Sequence, residues 1–197
     1  MSRLEPLTVG AVVLAAGASR RLGQPKQLLR LRGLPVHQTL LEQTVGAAQG
    51  GGCSPVIVVL PPTLSVSPLP GAWQLVNAQP NEGLASSVRL GIGALARTAV
   101  DAALLLVCDQ PAVDADLVKM MCKTAQNHLG RVIACRYGAV QGVPAIFGRS
   151  LFAQLLELQG EQGAKHLFAA HPPVTVEFPD GIWDIDTPDD LERWQGN

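Results

Sequence analysis

Residues 9–26 read Val9-Gly10-Ala11-Val12-Val13-Leu14-Ala15-Ala16-Gly17-Ala18-Ser19-Arg20-Arg21-Leu22-Gly23-Gln24-Pro25-Lys26. From Val9 to Ala15 the run is apolar without interruption and rich in β-branched residues, and Gly17 follows closely. A strand covered on one face alternates apolar and polar side chains, whereas a continuous apolar run marks a strand covered on both faces, as in parallel sheets flanked by helices. The residues after it are small, and Arg20, Arg21 and Lys26 follow on the same loop. Small side chains let backbone N–H groups approach anionic oxygens, and Arg and Lys bring mobile positive charge. The loop is neither a G-x-G-x-x-G dinucleotide fingerprint nor a Walker A sequence. On composition alone, a solvated basic turn fits it as well as a polyphosphate site does. Arg3 ahead of the apolar run has the look of a short signal peptide. Glu5 and Pro6 interrupt that pattern and the run leads straight into Ser19-Arg20-Arg21, so a buried first strand in a cytoplasmic protein is expected.

Working outward, strand-like and helix-like segments alternate. Helical spacing from Pro35 to about Ala48 stops at Gly50-Gly51-Gly52, and Val56 to Leu60 reads as a second buried strand. Pro61 to Gly71 is an expected loop, Gln74 to Asn77 a short strand, and Leu84 to about Arg97 a helix weakened by Gly91 and Gly93. Ala102 to Cys108 is the strongest candidate for a central strand, and Asp114 is the expected N-cap of a helix reaching Asn127. Beyond it, strands are expected at Arg131–Arg136, Val143–Phe147, Val174–Phe178 and Trp183–Ile185, with a helix over Ser150–Leu158. Thr187 should cap a last helix, with Pro188 at its first position and Asp190 three residues after the cap. The early βαβα order predicts an α/β fold: a Rossmann-like, mostly parallel sheet with helices on both faces, formed by one domain over residues 1–197. Its ligand site should lie at the carboxyl ends of the strands, which brings residues 17–26 near Asp109.

Composition narrows the function. The 197 residues are 47% hydrophobic and 16% charged, which excludes a disordered chain. Lys+Arg 15 against Asp+Glu 16 leaves a net charge of −1, so no general basic field exists to hold a nucleic acid backbone. No apolar run is long enough to span a bilayer, and neither nucleic acid nor membrane is an expected partner. Cys53, Cys108, Cys122 and Cys135 form no C-x-x-C pair and read as packed free thiols. His37, His128, His166 and His171 show no metal-ligand spacing. Trp73, Trp183 and Trp194 read as packing anchors, and Met120-Met121 as core or near-core.

The full loop string resembles L-A-A-G-x-S-x-R-x-G-x-x-K, the signature of the nucleotidyltransferases that include the molybdenum cofactor cytidylyltransferases, within the MobA-like NTP transferases. Four further segments are similar to that family in the same order: Asn77 with Gly83-Leu84-Ala85-Ser86-Ser87, Asp109-Gln110-Pro111, Gly142-Val143-Pro144-Ala145-Ile146-Phe147, and Asp184-Ile185-Asp186-Thr187-Pro188-Asp189-Asp190. The resemblance implies catalytic roles for Arg21 and Lys26 on the triphosphate. It implies nucleotide contacts at Leu14, Ala15, Ala16, Gly17, Asn77, Gly83 and Ser87, and Mg²⁺ ligation by Asp109 and Asp186. Gly142, Pro144 and Gly163 would face the acceptor. Gly160-Glu161-Gln162-Gly163-Ala164-Lys165 departs from the usual G-D-x-G-A-R by a longer acidic side chain and by Lys for Arg.

The implied reaction joins CMP from CTP to the phosphate of molybdopterin, with release of pyrophosphate and a molybdoenzyme as client. A phosphate acceptor is already nucleophilic, so the protein's task is to neutralise charge and hold attack in line. Ala15-Ala16-Gly17 is similar to the cytidylyltransferase form of the loop, whereas guanylyltransferases usually read A-G-G. Three alternatives stay open: GTP as donor, a sugar- or alcohol-phosphate acceptor, and a non-catalytic nucleotide-binding maturation partner of a molybdoenzyme.

Overall fold

The computed structural model describes residues 6–33 and 38–196. Its strands are β1 (Val9–Leu14), β2 (Val56–Leu60), β3 (Ala72–Val76), β4 (Ala102–Val107), β5 (Ile133–Tyr137), β6 (Val140–Gly148) and β7 (Val174–Glu177). The helices are α1 (Leu40–Gly50), α2 (Leu84–Leu95), α3 (Ala115–Asn127), α4 (Phe152–Leu156) and α5 (Pro188–Gly196). The strands form one sheet in the order β3-β2-β1-β4-β6-β5-β7. All neighbours are parallel except β6, which runs antiparallel to both β4 and β5.

The unbroken apolar runs of β1 and β4 are explained by two cores. Val13, Leu104 and Leu106 point to the face covered by α1 and α3, with Leu40, Val45 and Met121. Val12 and Leu105 point to the other, covered by α2 and α4, with Val88, Ile92, Phe152 and Leu155. Leu105 is fully buried, and truncating such a residue to Ala costs about 2–5 kcal/mol. Gly91 is tied to this packing rather than being a flaw in α2: a Cβ there would fall 2.2 Å from Val12 Cγ1, so only glycine lets α2 lie this close to β1.

The helix expected from Pro35 starts at Leu40, because Thr39 and Glu42 close a reciprocal capping box there. Pro35, Val36 and His37 lie outside the described residues. Asp114 caps α3 as expected, accepting from the Leu117 N–H at 2.8 Å. Ser150–Leu158 is shorter than expected: a 3₁₀ turn at Arg149–Leu151 leads into α4. Trp183–Ile185 is not a strand. It is an irregular segment after a 3₁₀ turn at Pro179–Ile182, held to the turn that follows β4, where the Ile185 N–H donates to the Asp109 carbonyl at 2.9 Å. Of the expected packing anchors, Trp73 and Trp183 are exposed instead. Met121 is buried, while Met120 faces solvent. Among the described residues no helix is long and apolar enough to cross a membrane.

Candidate active site

The loop leaving β1 is shaped by Gln27, which follows Lys26 directly. This side chain is 2% exposed, and its Nε2 donates to the carbonyls of Ala15 (2.6 Å) and Gly17 (3.0 Å). In a trans peptide the N–H points opposite the carbonyl, so the N–H groups of Ala16 and Ala18 face away from Gln27. Ser19 turns the chain with a φ of +48°, and its Oγ accepts from the Lys26 N–H at 3.2 Å. Gly17 has open space where a Cβ would be, which leaves the outer side of the loop clear for a ligand.

Lys26 is the centre of the charged cluster. Its Nζ lies 3.1 Å from Asp109 Oδ2 and 2.6 Å from Asp186 Oδ1, and Arg21 reaches Asp186 Oδ2 at 2.6 Å. One ammonium touches both carboxylates, so residues from three distant parts of the sequence converge. Asp109 is delivered by the end of β4, and Asp186 by the segment that Ile185 pins to the Asp109 carbonyl. Asp186 is also fixed from behind. Its N–H donates to Asp190 Oδ2 at 3.2 Å, and Asp190 bonds the Thr187 N–H and hydroxyl in the cap of α5.

The two carboxylates differ in environment. Burial pushes the Asp109 carboxyl up, and the attraction of Lys26 does not fully reverse it. Burial also works against the Asp186 carboxylate, but the Lys26 hydrogen bond and the charges of Lys26 and Arg21 outweigh it and hold its pKa low. For Lys26, burial favours the neutral amine, yet Asp109 and Asp186 together raise the pKa and keep it an ammonium. Asp184, on the same rim, has a carboxyl pushed up to about 6, first by burial and then by the nearby charge of Asp109.

The other expected site residues fall into separate groups. Asn77 is buried beyond the end of β3 and donates through Nδ2 to Ser86 Oγ (2.8 Å) and Ser87 Oγ (3.0 Å) in the first turns of α2. Leu14 and Ala16 belong to the α2-side core, so the Ala16 methyl is buried packing rather than a wall of an open pocket. Gly83 opens α2 with a φ of +111°, and a Cβ there would stand 2.4 Å from the Gly160 carbonyl oxygen. That oxygen accepts from the Ala85 N–H at 3.1 Å, and Gly163 lies against Leu84. Gly163 is therefore seated on the head of α2, beside the Asn77–Ser86–Ser87 network rather than beside Gly142 and Pro144. Gly142 is beside Tyr137, where a Cβ would meet the phenol oxygen at 2.2 Å, and Pro144 is buried in β6 after a cis peptide bond.

Two further side chains enter the site that residue type and spacing did not reveal. Gln27 is one; nothing in the string Lys26-Gln27-Leu28 distinguishes a buried clamp from an exposed amide. Gln110 is the other. It is 3% exposed, its Nε2 donates to the Gly181 carbonyl at 3.3 Å, and its Oε1 has no partner.

Asp109 and Asp186 are the carboxylates that would hold a divalent cation, at the place where the Lys26 ammonium meets both of them. No three His, Cys, Asp or Glu side chains among the described residues form a metal cage. Two carboxylates suit a hard cation that shares its coordination with nucleotide phosphates and water.

Residues 11–174 match the MobA-like NTP transferase domain. The chain belongs to this family. This MobA-like chain is 34% identical over 162 residues to the "Probable molybdenum cofactor guanylyltransferase" of Mycobacterium tuberculosis, covering 81% of this chain and 79% of the relative. It is 26% identical over 203 residues to "Purine catabolism protein PucB" of Bacillus subtilis, covering 95% of each. Among solved structures it is similar to Rv0371c of Mycobacterium tuberculosis, with a TM-score of 0.80, 28% identity, and 98% and 100% of the two chains covered. A manganese complex of Rv0371c gives 0.77 at 27% identity, over 96% and 99%. The mostly parallel seven-stranded sheet is that of the nucleotide-diphospho-sugar transferases, and nucleotidyl transfer is the chemistry of the family. Asp186 lies beyond the matched residues, so its place in the MobA-like site rests on the geometry above.

Proposed function

We propose that the protein transfers CMP from CTP to the phosphate of a molybdopterin-type acceptor, releasing pyrophosphate. The observation that carries the transferase reading is Lys26 in contact with both Asp109 and Asp186, with Arg21 on Asp186, at the mouth of a loop whose N–H groups face outward. Arg21, whose side chain is 71% exposed, is free to swing onto the β- and γ-phosphates, and Lys26 is placed to meet charge developing at the α-phosphate. Asp109 and Asp186 would hold Mg²⁺, which supplies neutralisation of the triphosphate oxygens. The acceptor phosphate needs no strong base, so orientation by the loop and the cluster is the main contribution. A pure binding protein has no use for two carboxylates converging on the lysine of its phosphate loop.

CTP as donor is supported by the Ala15-Ala16-Gly17 form of the loop, which resembles the cytidylyltransferase type. Ala16 and the Asn77–Ser86–Ser87 network are both buried, so this reading rests on that resemblance and not on steric narrowing by the methyl. GTP is the second reading, favoured by the name of the 34% identical relative. Pyrophosphate release, with each NTP crossed against molybdopterin and simple sugar phosphates, decides between them. A kcat/KM for CTP well above that for GTP, with molybdopterin alone as acceptor, is the expected outcome. Comparable values for the two nucleotides reject the cytidylyl assignment.

A further inference from the structure

A cleft of about 290 Å³ opens between the segment Ile182–Ile185 and α5, next to the charged cluster. It is lined by Ile182, Trp183, Asp184, Arg193 and Trp194 among others. Ile182 is 66% and Trp183 41% exposed, an apolar surface that the packing of the fold leaves open. The Trp194 ring is held in place, its Nε1 donating to the Arg32 carbonyl at 3.2 Å. At the inner end stands Asp184, whose carboxyl is close enough to Asp109, Asp186 and Lys26 to feel all three charges. Behind it lies Gln110, with its buried, unpartnered Oε1. We propose that this cleft binds the ring of the acceptor, a planar nitrogen heterobicycle of the pterin class, with Trp183 and Trp194 as stacking walls and Asp184 reading its N–H edge.

The volume decides the size of the ligand: it lies at the lower end of small-molecule sites and suits one fused bicycle, not a dinucleotide. Indole faces reward a flat π-system, and a carboxylate accepts from adjacent ring N–H and amino groups. Asp190 is not available for that task, because its Oδ2 is already used by Thr187 and the Asp186 N–H. Asp184 and Asp186 are two residues apart in sequence, so a ring on the first leaves a short side-chain phosphate within reach of the Lys26 ammonium that Asp186 holds at 2.6 Å. This inference rests on the acceptor reading above. It moves the ring away from Gly163, which is occupied at the head of α2.

The test is equilibrium binding of neopterin monophosphate to the full chain, read by quenching of tryptophan fluorescence, with CMP as competitor. In the wild-type protein, quenching that CMP does not compete away is expected. Trp183→Ala and, separately, Asp184→Asn should each weaken binding about tenfold, the first by loss of a stacking face and the second by loss of a charged hydrogen-bond acceptor. Trp73→Phe, on the exposed edge strand β3, should not. Neither Trp183 nor Asp184 belongs to the packed cores, so these variants are expected to fold, and unchanged CTP binding by calorimetry confirms it. Unaltered pterin affinity in both variants, or quenching abolished by CMP, overturns the cleft assignment. Pterin binding in the cleft without pyrophosphate release from any NTP leaves the cleft standing and sinks the transferase reading; turnover that is indifferent to both variants does the reverse.

Discussion

Around the ends of β1, β2 and β3, polar side chains are tied to one another from within. Gln27 holds two loop carbonyls, Asn77 holds two serines, and Ser86 Oγ donates in turn to the Gly83 carbonyl at 2.8 Å. Across the charged cluster, from the end of β4 to α5, the surface is looser. Ile182 and Trp183 are exposed, and Gln110 keeps an oxygen without a partner. The difference assigns the cost of order. The side proposed for the nucleotide is organised before any ligand arrives, so little conformational freedom remains to be lost on binding. The other side presents apolar surface whose burial falls, on the acceptor proposal, to the second substrate.

The contrast is broken most severely at Lys26, the residue shared by both sides. Lys26→Met should lower kcat by roughly 10²–10³-fold, the usual loss for a group aimed at transition-state charge. Single-turnover kinetics at saturating nucleotide measure this; a change confined to KM would show that Lys26 only holds ground-state phosphate.

Gln27→Leu tests whether the nucleotide side is organised in advance. It strands the carbonyls of Ala15 and Gly17, at a cost of roughly 1–3 kcal/mol. For a chain of this size that corresponds to a fall in Tm of about 2–12 °C. The KM for nucleotide should rise more than kcat falls, and added NTP should recover part of the lost Tm. A Tm within a degree of wild type would mean that the loop holds its shape without the clamp.

The smallest effect expected is also the most discriminating. The raised pKa of Asp109 means that its charged form is disfavoured by folding; its contribution turns unfavourable as pH climbs through the interval between the unfolded and folded values. Asp186 has the opposite sign. Its depressed pKa gives stability that is present above the unfolded value and lost as pH falls through the folded one. At pH 7, Asp109→Asn should therefore match or exceed the wild-type Tm, and Asp186→Asn should lower it by a few degrees. The two should converge on wild type in acid, below the ordinary carboxylate range. Calorimetry across pH checks both, and equal behaviour of the two variants would contradict the asymmetry.

Much of the sheet was legible because β1, β2 and β4 are buried on both faces and therefore write themselves as unbroken apolar runs. The caps at Asp114 and Thr187 were legible because they use local chemistry. The direction of β6 was not, since a strand's apolar pattern is the same read either way. Trp183–Ile185 carries strand-like residues, yet the Ile185 N–H bonds the Asp109 carbonyl in the turn after β4, and hydrogen-bond pairing is invisible in composition. The charged residues of the site were readable from their types and order. Gln27 was not, because burial of an amide depends on what the fold places around it. Trp183 shows the converse: size suggested a packed anchor, and the surface around it leaves the ring open.

The hydrogen bond from Ile185 to the Asp109 carbonyl has a bearing on when activity can begin. A growing chain that has emerged through β4 and the turn after it already holds Arg21, Lys26 and Asp109, three of the four residues of the charged cluster. Asp186 arrives only after a further 76 residues have been added, counting from Asp109 to Ile185, and it enters the cluster only when that segment docks on the finished sheet. With Asp186 in the role proposed for it, competence is withheld from any chain that stops short of that residue, and the docking of this segment doubles as the step that arms the enzyme.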